Sequence, residues 1–254
     1  MKDVKGWQLS RREIWQNRLR LLAPRTVYKL INRVVRFRPK EYRKIYRMTL
    51  RRWFLYHNKH IVFDNCHWMG VGTLKNPLDA WIFQEIIFEV RPDVVVEIGS
   101  AAGGTTLFLA NMLDLIGKGQ VVSVDIDRSS FDVTHPRIDC VTGDSSSPQT
   151  VGHVAALCEG KSVLVIHDGD HNKPQVLKDL KAYAPLVTVG SYFIVEDGLI
   201  DLFKPNMLFG FFPDGGPLEA IKEFLRWNCD FIADREKERY LLTFNPMGYL
   251  KKVR

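Results

Sequence analysis

The chain predicts an α/β fold built on a mostly parallel sheet, because short buried runs alternate with helical stretches along most of its length. Five runs rich in Val and Ile each end on a carboxylate: VVVE at Glu97, VVSVD at Asp125, CVTGD at Asp144, VLVIHD at Asp168 and YFIVED at Glu196 and Asp197. Such runs read as strands covered on both faces of a parallel sheet. Strand, helix, strand in repetition then requires crossover helices packed on that sheet. Ligands of such sheets bind beyond the carboxyl ends of the strands, so the acids should share one rim. Clustered carboxylates raise one another's pKa unless hydroxyls, cations or a metal compensate them, and each acid therefore needs a partner.

Taken in order, DNCHWMGVGTLKNP is rich in turn residues and leads into PLDAWIFQEIIFEV, a helix with Asn76 as its cap and Pro77 in its first turn. A strand at 94–98 feeds a glycine turn and the helix TTLFLANMLDLIG, which closes on Gly117. Then follow strands at 121–125 and 138–142, a helix near 148–158, a strand at 162–167, a helix near 174–184 and a strand at 191–195. The loop LFGFFPDGGP precedes the helix LEAIKEFLRWN, after which DFIAD and RYLLTF read as a closing hairpin. A Rossmann-like sheet finished by a C-terminal antiparallel hairpin suits a class I methyltransferase better than a dehydrogenase with a second Rossmann half.

With 254 residues and 46% apolar side chains, the chain can bury one substantial core. The formal net charge of +7 is unevenly spread: residues 1–60 carry +15, and the remainder carries −8. The chain therefore divides into a basic helical N-terminal arm, residues 1–60, and a sheet domain, residues 61–254. In the arm, VYKLINRVVRF sets Val27, Leu30, Ile31 and Val34 at helical spacing, with Lys29, Arg33 and Arg36 falling elsewhere. This basic amphipathic helix reads equally as a peripheral contact with an anionic membrane face and as a helix packed on its own domain with solvated charges. Nucleic acid is the weaker partner, since no recognised nucleic-acid motif is present. Cys66, Cys140, Cys158 and Cys229 form no CxxC pair, which suggests neither zinc nor a disulfide framework and fits a reducing compartment. No stretch approaches a membrane span, and the charges at Arg11, Arg12, Arg18 and Arg20 leave no signal-peptide core. The expected location is the cytoplasm, with the inner face of the membrane as the arm's point of contact.

The segment EIGSAAGGTT places Gly99, Gly103 and Gly104 between a strand and a helix, where missing side chains let a ligand approach the backbone. Its glycines are spaced GxxxG, not as the dinucleotide fingerprint. Glu97 would repel a pyrophosphate but suits a cationic sulfonium ligand with a free amino group, which favours S-adenosylmethionine over NAD. Asp125 ends the next strand, where an acid accepts from ribose hydroxyls. Gly143, Asp144 and Ser145 stand where an adenine edge would lie, although Asp and Ser there also read as turn and cap residues. Asp168, Glu196 and Asp197 form an oxygen-rich set suited to Mg²⁺ or Mn²⁺. A hydroxyl held by such an ion loses its proton more readily and can attack the methyl group, with His171 accepting the proton. His167 and His171 also read as a rim or capping pair.

These residues carry a resemblance to a known family. The run VVVEIGSAAGGTT, the VSVDID strand, IHDGDHNKPQVLKDLKAYAPLV, SYFIVEDG and the terminal TFNPMGYLKK, in matching order over about residues 60–254, resemble the cephalosporin hydroxylase and rhamnosyl O-methyltransferase family. The resemblance implies a class I methyltransferase domain acting on sugars of glycolipids or on natural products. It implies S-adenosylmethionine near Glu97, Gly99, Ser100, Asp125 and Asp144, and a magnesium ion on Asp168, Glu196 and Asp197. In the more distant catechol-type methyltransferases a lysine thought to act as base follows the first metal acid by three positions; here that position is His171.

The reading is a Mg-assisted O-methyltransferase with Glu97, Gly99, Ser100, Gly103, Asp125, Asp144 and Ser145 on the donor, Asp168, Glu196 and Asp197 on the metal, and Asp168 and His171 at the chemistry. Trp68, Trp81 and the loop 205–217 are candidates to cover a small-molecule, sugar or glycolipid acceptor, with core packing the better reading of Trp81. An NAD- or iron-dependent oxidoreductase and a non-catalytic glycan- or membrane-binding module are the alternatives. A homo-oligomer stays open, and acceptor identity is not fixed by fold.

Overall fold

A computed structural model describes residues 47–203 and 212–254. The amphipathic pattern at 27–36 and most of the loop 205–217 lie outside the described residues. The first described helix, α1 (Leu50–Tyr56), runs on through a π turn at His57–Val62 to Asn65. Phe54 holds it against the main unit, its ring stacked on Phe203 and edge-on to Phe244. The sequence division at residue 60 falls inside this run.

A short ribbon, β1 (His67–Trp68) and β2 (Val71–Gly72), precedes α2 (Pro77–Val90). Asn76 caps α2 by accepting from the backbone N–H of Leu78 at 3.3 Å. Then come β3 (Val94–Ile98), α3 (Gly104–Ile116), β4 (Gln120–Asp125), β5 (Ile138–Thr142), α4 (Pro148–Cys158), β6 (Val163–His167), α5 (Lys173–Tyr183) and β7 (Tyr192–Val195). The chain continues with α6 (Pro217–Trp227), β8 (Phe231–Ala233) and β9 (Tyr249–Lys252). Gly117 ends α3 in the left-handed conformation (φ 79°), as its position after the periodic run predicts.

The seven-stranded sheet has the order β5-β4-β3-β6-β7-β9-β8. The strands from β5 to β7 are mutually parallel, and β9 runs antiparallel between β7 and β8. On one face, Ile82, Phe83, Ile86 and Ile87 of α2 and Leu109 and Leu113 of α3 pack on Val95, Leu164 and Ile194. On the other, Val154 of α4, Leu180 of α5 and Phe224 of α6 pack on Val96, Val122, Val165 and Phe193. Each fully buried Val, Leu or Ile contributes about 1.5–3 kcal/mol, so a charged residue inside these strands runs against a steep gradient. Glu97 is such a residue, in a strand buried at every position.

The antiparallel ending is present, but its second strand is Tyr249–Lys252 and not the RYLLTF segment. That segment instead docks on the start of α2. Asp79, buried, accepts from Thr243 Oγ1 at 2.6 Å, Phe244 N at 2.8 Å, Tyr249 OH at 2.8 Å and Asn76 Nδ2 at 2.8 Å. Asn76 also donates to the Leu242 carbonyl at 2.8 Å. Among the described residues no helix is long and apolar enough to cross a membrane.

Asp79 thus ties α2 to β9 and its approach. Asp79→Ala leaves several buried donors without an acceptor and should cost about 3 kcal/mol or more, read as a lowered midpoint in urea unfolding. An unchanged midpoint would show that water or a neighbour replaces the carboxylate.

Candidate active site

The order of the sheet reverses at β3, which lies between β4 and β6, and the candidate site sits beyond the ends of these strands. Gly99 follows β3 with φ at +85°, and a Cβ there would lie 2.2 Å from the Asp168 carbonyl oxygen. Only glycine lets the end of β3 approach the end of β6 this closely. Gly103 (φ +88°) opens α3, and a Cβ on it would meet Val133 and Phe131 at 2.7 and 2.8 Å.

Asp125 holds the glycine turn. Its Oδ2 accepts from Ser100 N at 2.8 Å, Ser100 Oγ at 3.1 Å and Ala101 N at 3.0 Å, and its Oδ1 accepts from Asp127 N at 3.1 Å. Burial pushes this carboxyl up, but the backbone N–H donors outweigh it and hold it below the usual range. Arg128 closes the same corner, donating to Ser100 Oγ at 2.7 Å, Ser123 Oγ at 3.0 Å and the carbonyls of Ser123 and Val141.

Glu97 is fully buried beneath this turn. Thr106 of α3 donates its hydroxyl to Oε2, whereas Oε1 is buried without a hydrogen-bond partner among the described residues. Burial pushes the carboxyl up to about 7 against the pull of the Thr106 hydroxyl and the Lys75 charge. A buried acceptor left open beside a glycine turn suits a ligand ammonium group.

Across the β3–β6 seam, Asp168 and Glu196 share one cation. The Lys75 ammonium donates to Asp168 Oδ2 at 2.9 Å and to Glu196 Oε1. Burial and the charge of Asp168 raise Glu196, and Lys75 opposes them. Asp197 sits in the left-handed region (φ 58°), and its Oδ2 lies 3.3 Å from His171 Nε2. Although a quarter of its side chain is exposed, desolvation raises Asp197 to about 6, with His171 pulling the other way. Ligand atoms of Asp168, His171 and Asp197 lie within 4.8 Å of one another, a spacing and donor set that fit a divalent ion. His171 Nδ1 is buried without a partner among the described residues.

The structure thus gathers Glu97, Gly99, Ser100, Gly103 and Asp125 on one side and Asp168, His171, Glu196 and Asp197 on the other. Asp144 and Ser145 follow β5 beside Asp125, whose carbonyl accepts from Gly143 N at 2.9 Å, but their side chains are engaged elsewhere. Asp144 is exposed and accepts from Ser146 N and Oγ at 2.9 Å, while Ser145 Oγ donates to Asp179 Oδ1 at 2.8 Å. Asp179 also pairs with fully buried His167 Nε2 at 3.0 Å, so His167 belongs to the core. Trp68 donates to Asn111 Oδ1 at 2.9 Å and packs edge-on to Phe108. Trp81 departs from the expected core packing: it is 59% exposed, on the side of α2 opposite the buried Ile82 and Phe83. With Trp68, Phe108, Met112 and Lys75 it lines an apolar cavity of about 410 Å³.

Sequence reasoning missed Lys75, Thr106 and Arg128. Thr106 was readable in the GGTT run, where the first turn of the helix returns over the strand. Lys75, within LKNP, carries no such local signal.

A model of the family described as Rhamnosyl O-methyltransferase/CmcI matches residues 60–253. The rhamnosyl O-methyltransferase of Mycobacterium leprae (strain TN) is 35% identical over 199 residues, covering 75% of this chain and 85% of that protein. The rhamnosyl O-methyltransferase of Mycobacterium tuberculosis (strain ATCC 25618 / H37Rv) is 32% identical over 200 residues, covering 75% of this chain and 80% of that protein. Among solved structures, an apo form of CmcI superposes with a TM-score of 0.57 at 22% identity, covering 74% of this chain and 76% of CmcI. A CmcI structure with Mg and SAM gives 0.57 at 23% identity, covering 76% of this chain and 78% of CmcI. At these identities the superpositions speak for the fold.

The buried Glu97 carboxyl has a pH signature. Its folded pKa of about 7 lies above its unfolded value, so its ionisation costs stability as pH rises from about 4.5 to 7. Glu97→Gln should therefore gain on the parent protein by on the order of 2 kcal/mol between pH 5 and pH 8 in urea unfolding. A pH-independent difference would remove the perturbed carboxyl from the account.

Proposed function

The chain belongs to the rhamnosyl O-methyltransferase/CmcI family, and we propose that it transfers a methyl group from S-adenosylmethionine to a sugar hydroxyl with the help of Mg²⁺ or Mn²⁺. The observation that carries this reading is the buried Oε1 of Glu97, left without a hydrogen-bond partner among the described residues at the end of β3 next to the glycine turn. Relatives named for rhamnosyl groups support a deoxyhexose of a glycolipid or related glycoside as the acceptor.

On the donor side, Glu97 Oε1 receives the ammonium, and the backbone at Gly99, Ser100 and Gly103 leaves room for the methionine part. Asp125 stands at the ribose. Asp144 and Ser145 mark the adenine end through their backbone N–H groups, since their side chains and carbonyls are already engaged. On the acceptor side, Asp168, Glu196 and Asp197 hold the ion. When bound, a divalent ion makes a neighbouring hydroxyl more acidic. His171, steadied by Asp197, takes the hydroxyl proton. Methyl transfer requires donor sulfur, methyl carbon and acceptor oxygen in line, so the joined rims act chiefly by positioning.

The convergence of Asp168, His171 and Asp197 favours a second reading, in which His171 is itself a ligand. The two readings part on His171→Ala. As a base, its loss lowers turnover of an alkyl rhamnoside by about 10²-fold or more with Mg²⁺ binding retained; as a ligand, its loss weakens Mg²⁺ binding in calorimetry.

The basic arm, with its +15 charge, supports a peripheral contact with anionic membranes. Liposome flotation with and without residues 1–40 tests that contact, and equal flotation dismisses it.

For the central reading, Asp168→Ala should abolish Mg²⁺-stimulated methyl transfer to rhamnosides while S-adenosylmethionine binding stays within a few-fold; undiminished transfer in chelator would refute the ion's role. Donor affinity should fall several-fold from pH 7.5 to pH 6 as Glu97 takes up its proton near pH 7. Glu97→Gln should bind weakly at both values.

A further inference from the structure

We infer that Lys75 is a built-in counter-ion of the metal site, a positioning residue whose fixed charge holds Asp168 and Glu196 together while no divalent ion is bound. The inference rests on the metal reading of that rim. Glu97, Asp168, Glu196 and Asp197 crowd the ends of adjacent strands, and Glu97 and Glu196 are almost wholly buried. Like charges in such a place repel and are poorly solvated, so without a nearby cation their side chains would turn apart or give up their charge.

Lys75 is placed to prevent this. It is 5% exposed, and its ammonium bridges Asp168 Oδ2 at 2.9 Å and Glu196 Oε1. It also lies 5.4 Å from the centre of the buried Phe83 ring, where its charge faces aromatic π density. Its backbone is anchored on both sides. The Lys75 carbonyl accepts from Cys66 Sγ at 3.1 Å, and the next residue, Asn76, caps α2 and bonds to Asp79 and Leu242. The cation is therefore part of the scaffold and does not leave with the ion.

Charge bookkeeping points the same way. Four carboxyl groups crowd around one lysine; fully ionised they carry four negative charges, which the lysine, a divalent ion and the net single positive charge of a sulfonium donor bring to neutrality. Without the lysine the loaded site keeps one buried negative charge, and the ion-free site loses the counter-charge that bridges Asp168 and Glu196 among the described residues. An ordinary structural salt bridge would stabilise the protein equally with and without metal, and this separates the two roles.

The experiment is thermal unfolding of the full chain in chelator and in Mg²⁺ alone, for the parent, Lys75→Met, Lys75→Arg and Lys75→Met combined with Glu196→Gln. Lys75→Met should melt lower than the parent in chelator and gain from Mg²⁺ at least twice the parent's upward shift. The double variant should recover part of the loss in chelator, because one of the two stranded acids is neutral. Lys75→Arg, which keeps the charge, should show a Mg²⁺ shift like the parent's and keeps the test readable if Lys75→Met does not fold in chelator. Equal Mg²⁺ shifts in the parent and Lys75→Met, or a Lys75→Arg shift as large as that expected for Lys75→Met, would overturn the inference while leaving the metal reading in place. A parent with no Mg²⁺ shift in melting and no Mg²⁺ binding in calorimetry would overturn both.

Discussion

Acidic side chains cannot be withdrawn from water together unless something of opposite character meets each of them, and this requirement organises the rim of the sheet. Asp125 is answered by backbone N–H groups of the glycine turn, Asp197 by His171, and Asp168 and Glu196 by one lysine. Glu97 is answered by a single hydroxyl on one oxygen. The degree of compensation differs in a chemically useful way: the acid that is fully satisfied shapes a loop, and the acid that is half satisfied is left able to bind.

Gly99 makes these separate arrangements one site. Because it carries no side chain, the backbone after β3 lies against the Asp168 carbonyl, and the glycine turn and the Asp168 loop share a contact. A protein that moves a one-carbon group between two molecules needs their distance set within fractions of an ångström. A backbone-to-backbone approach, which has little freedom to vary, fixes the two parts of the rim against each other here.

Local sequence patterns revealed the elements well. Strands of Val and Ile, Asn76 before Pro77 and Gly117 after an apolar helix are short-range signals, and strands at 94–98 and 138–142 and a helix at 148–158 lie where those signals put them. The failures are long-range. RYLLTF looks like a strand, but Leu241 adopts a left-handed conformation (φ 63°) and the segment serves Asp79, more than 160 residues earlier in the chain. Lys75 reaches Glu196 across 121 residues, a distance over which no periodicity speaks. Asp144 ends a strand as the other acids do, but its side chain accepts from the neighbouring Ser146, a contact that strand pattern alone does not announce. Composition and spacing say which residues can do chemistry, whereas the crossing of strands decides which of them meet.

The placement of β9 has a consequence for how the molecule is made. It lies inside the sheet, between β7 and β8, yet it follows both in the chain. During synthesis, β7 is therefore complete while the neighbour that will cover its edge has not yet emerged, and an uncovered apolar strand is a template for pairing with other chains. The nascent protein passes through an interval in which β3, β6 and β7 can already pair while the sheet is still open and Asp197 still lacks Asn245. Chaperone dependence and yield should be decided in that interval, at the exposed edge of β7.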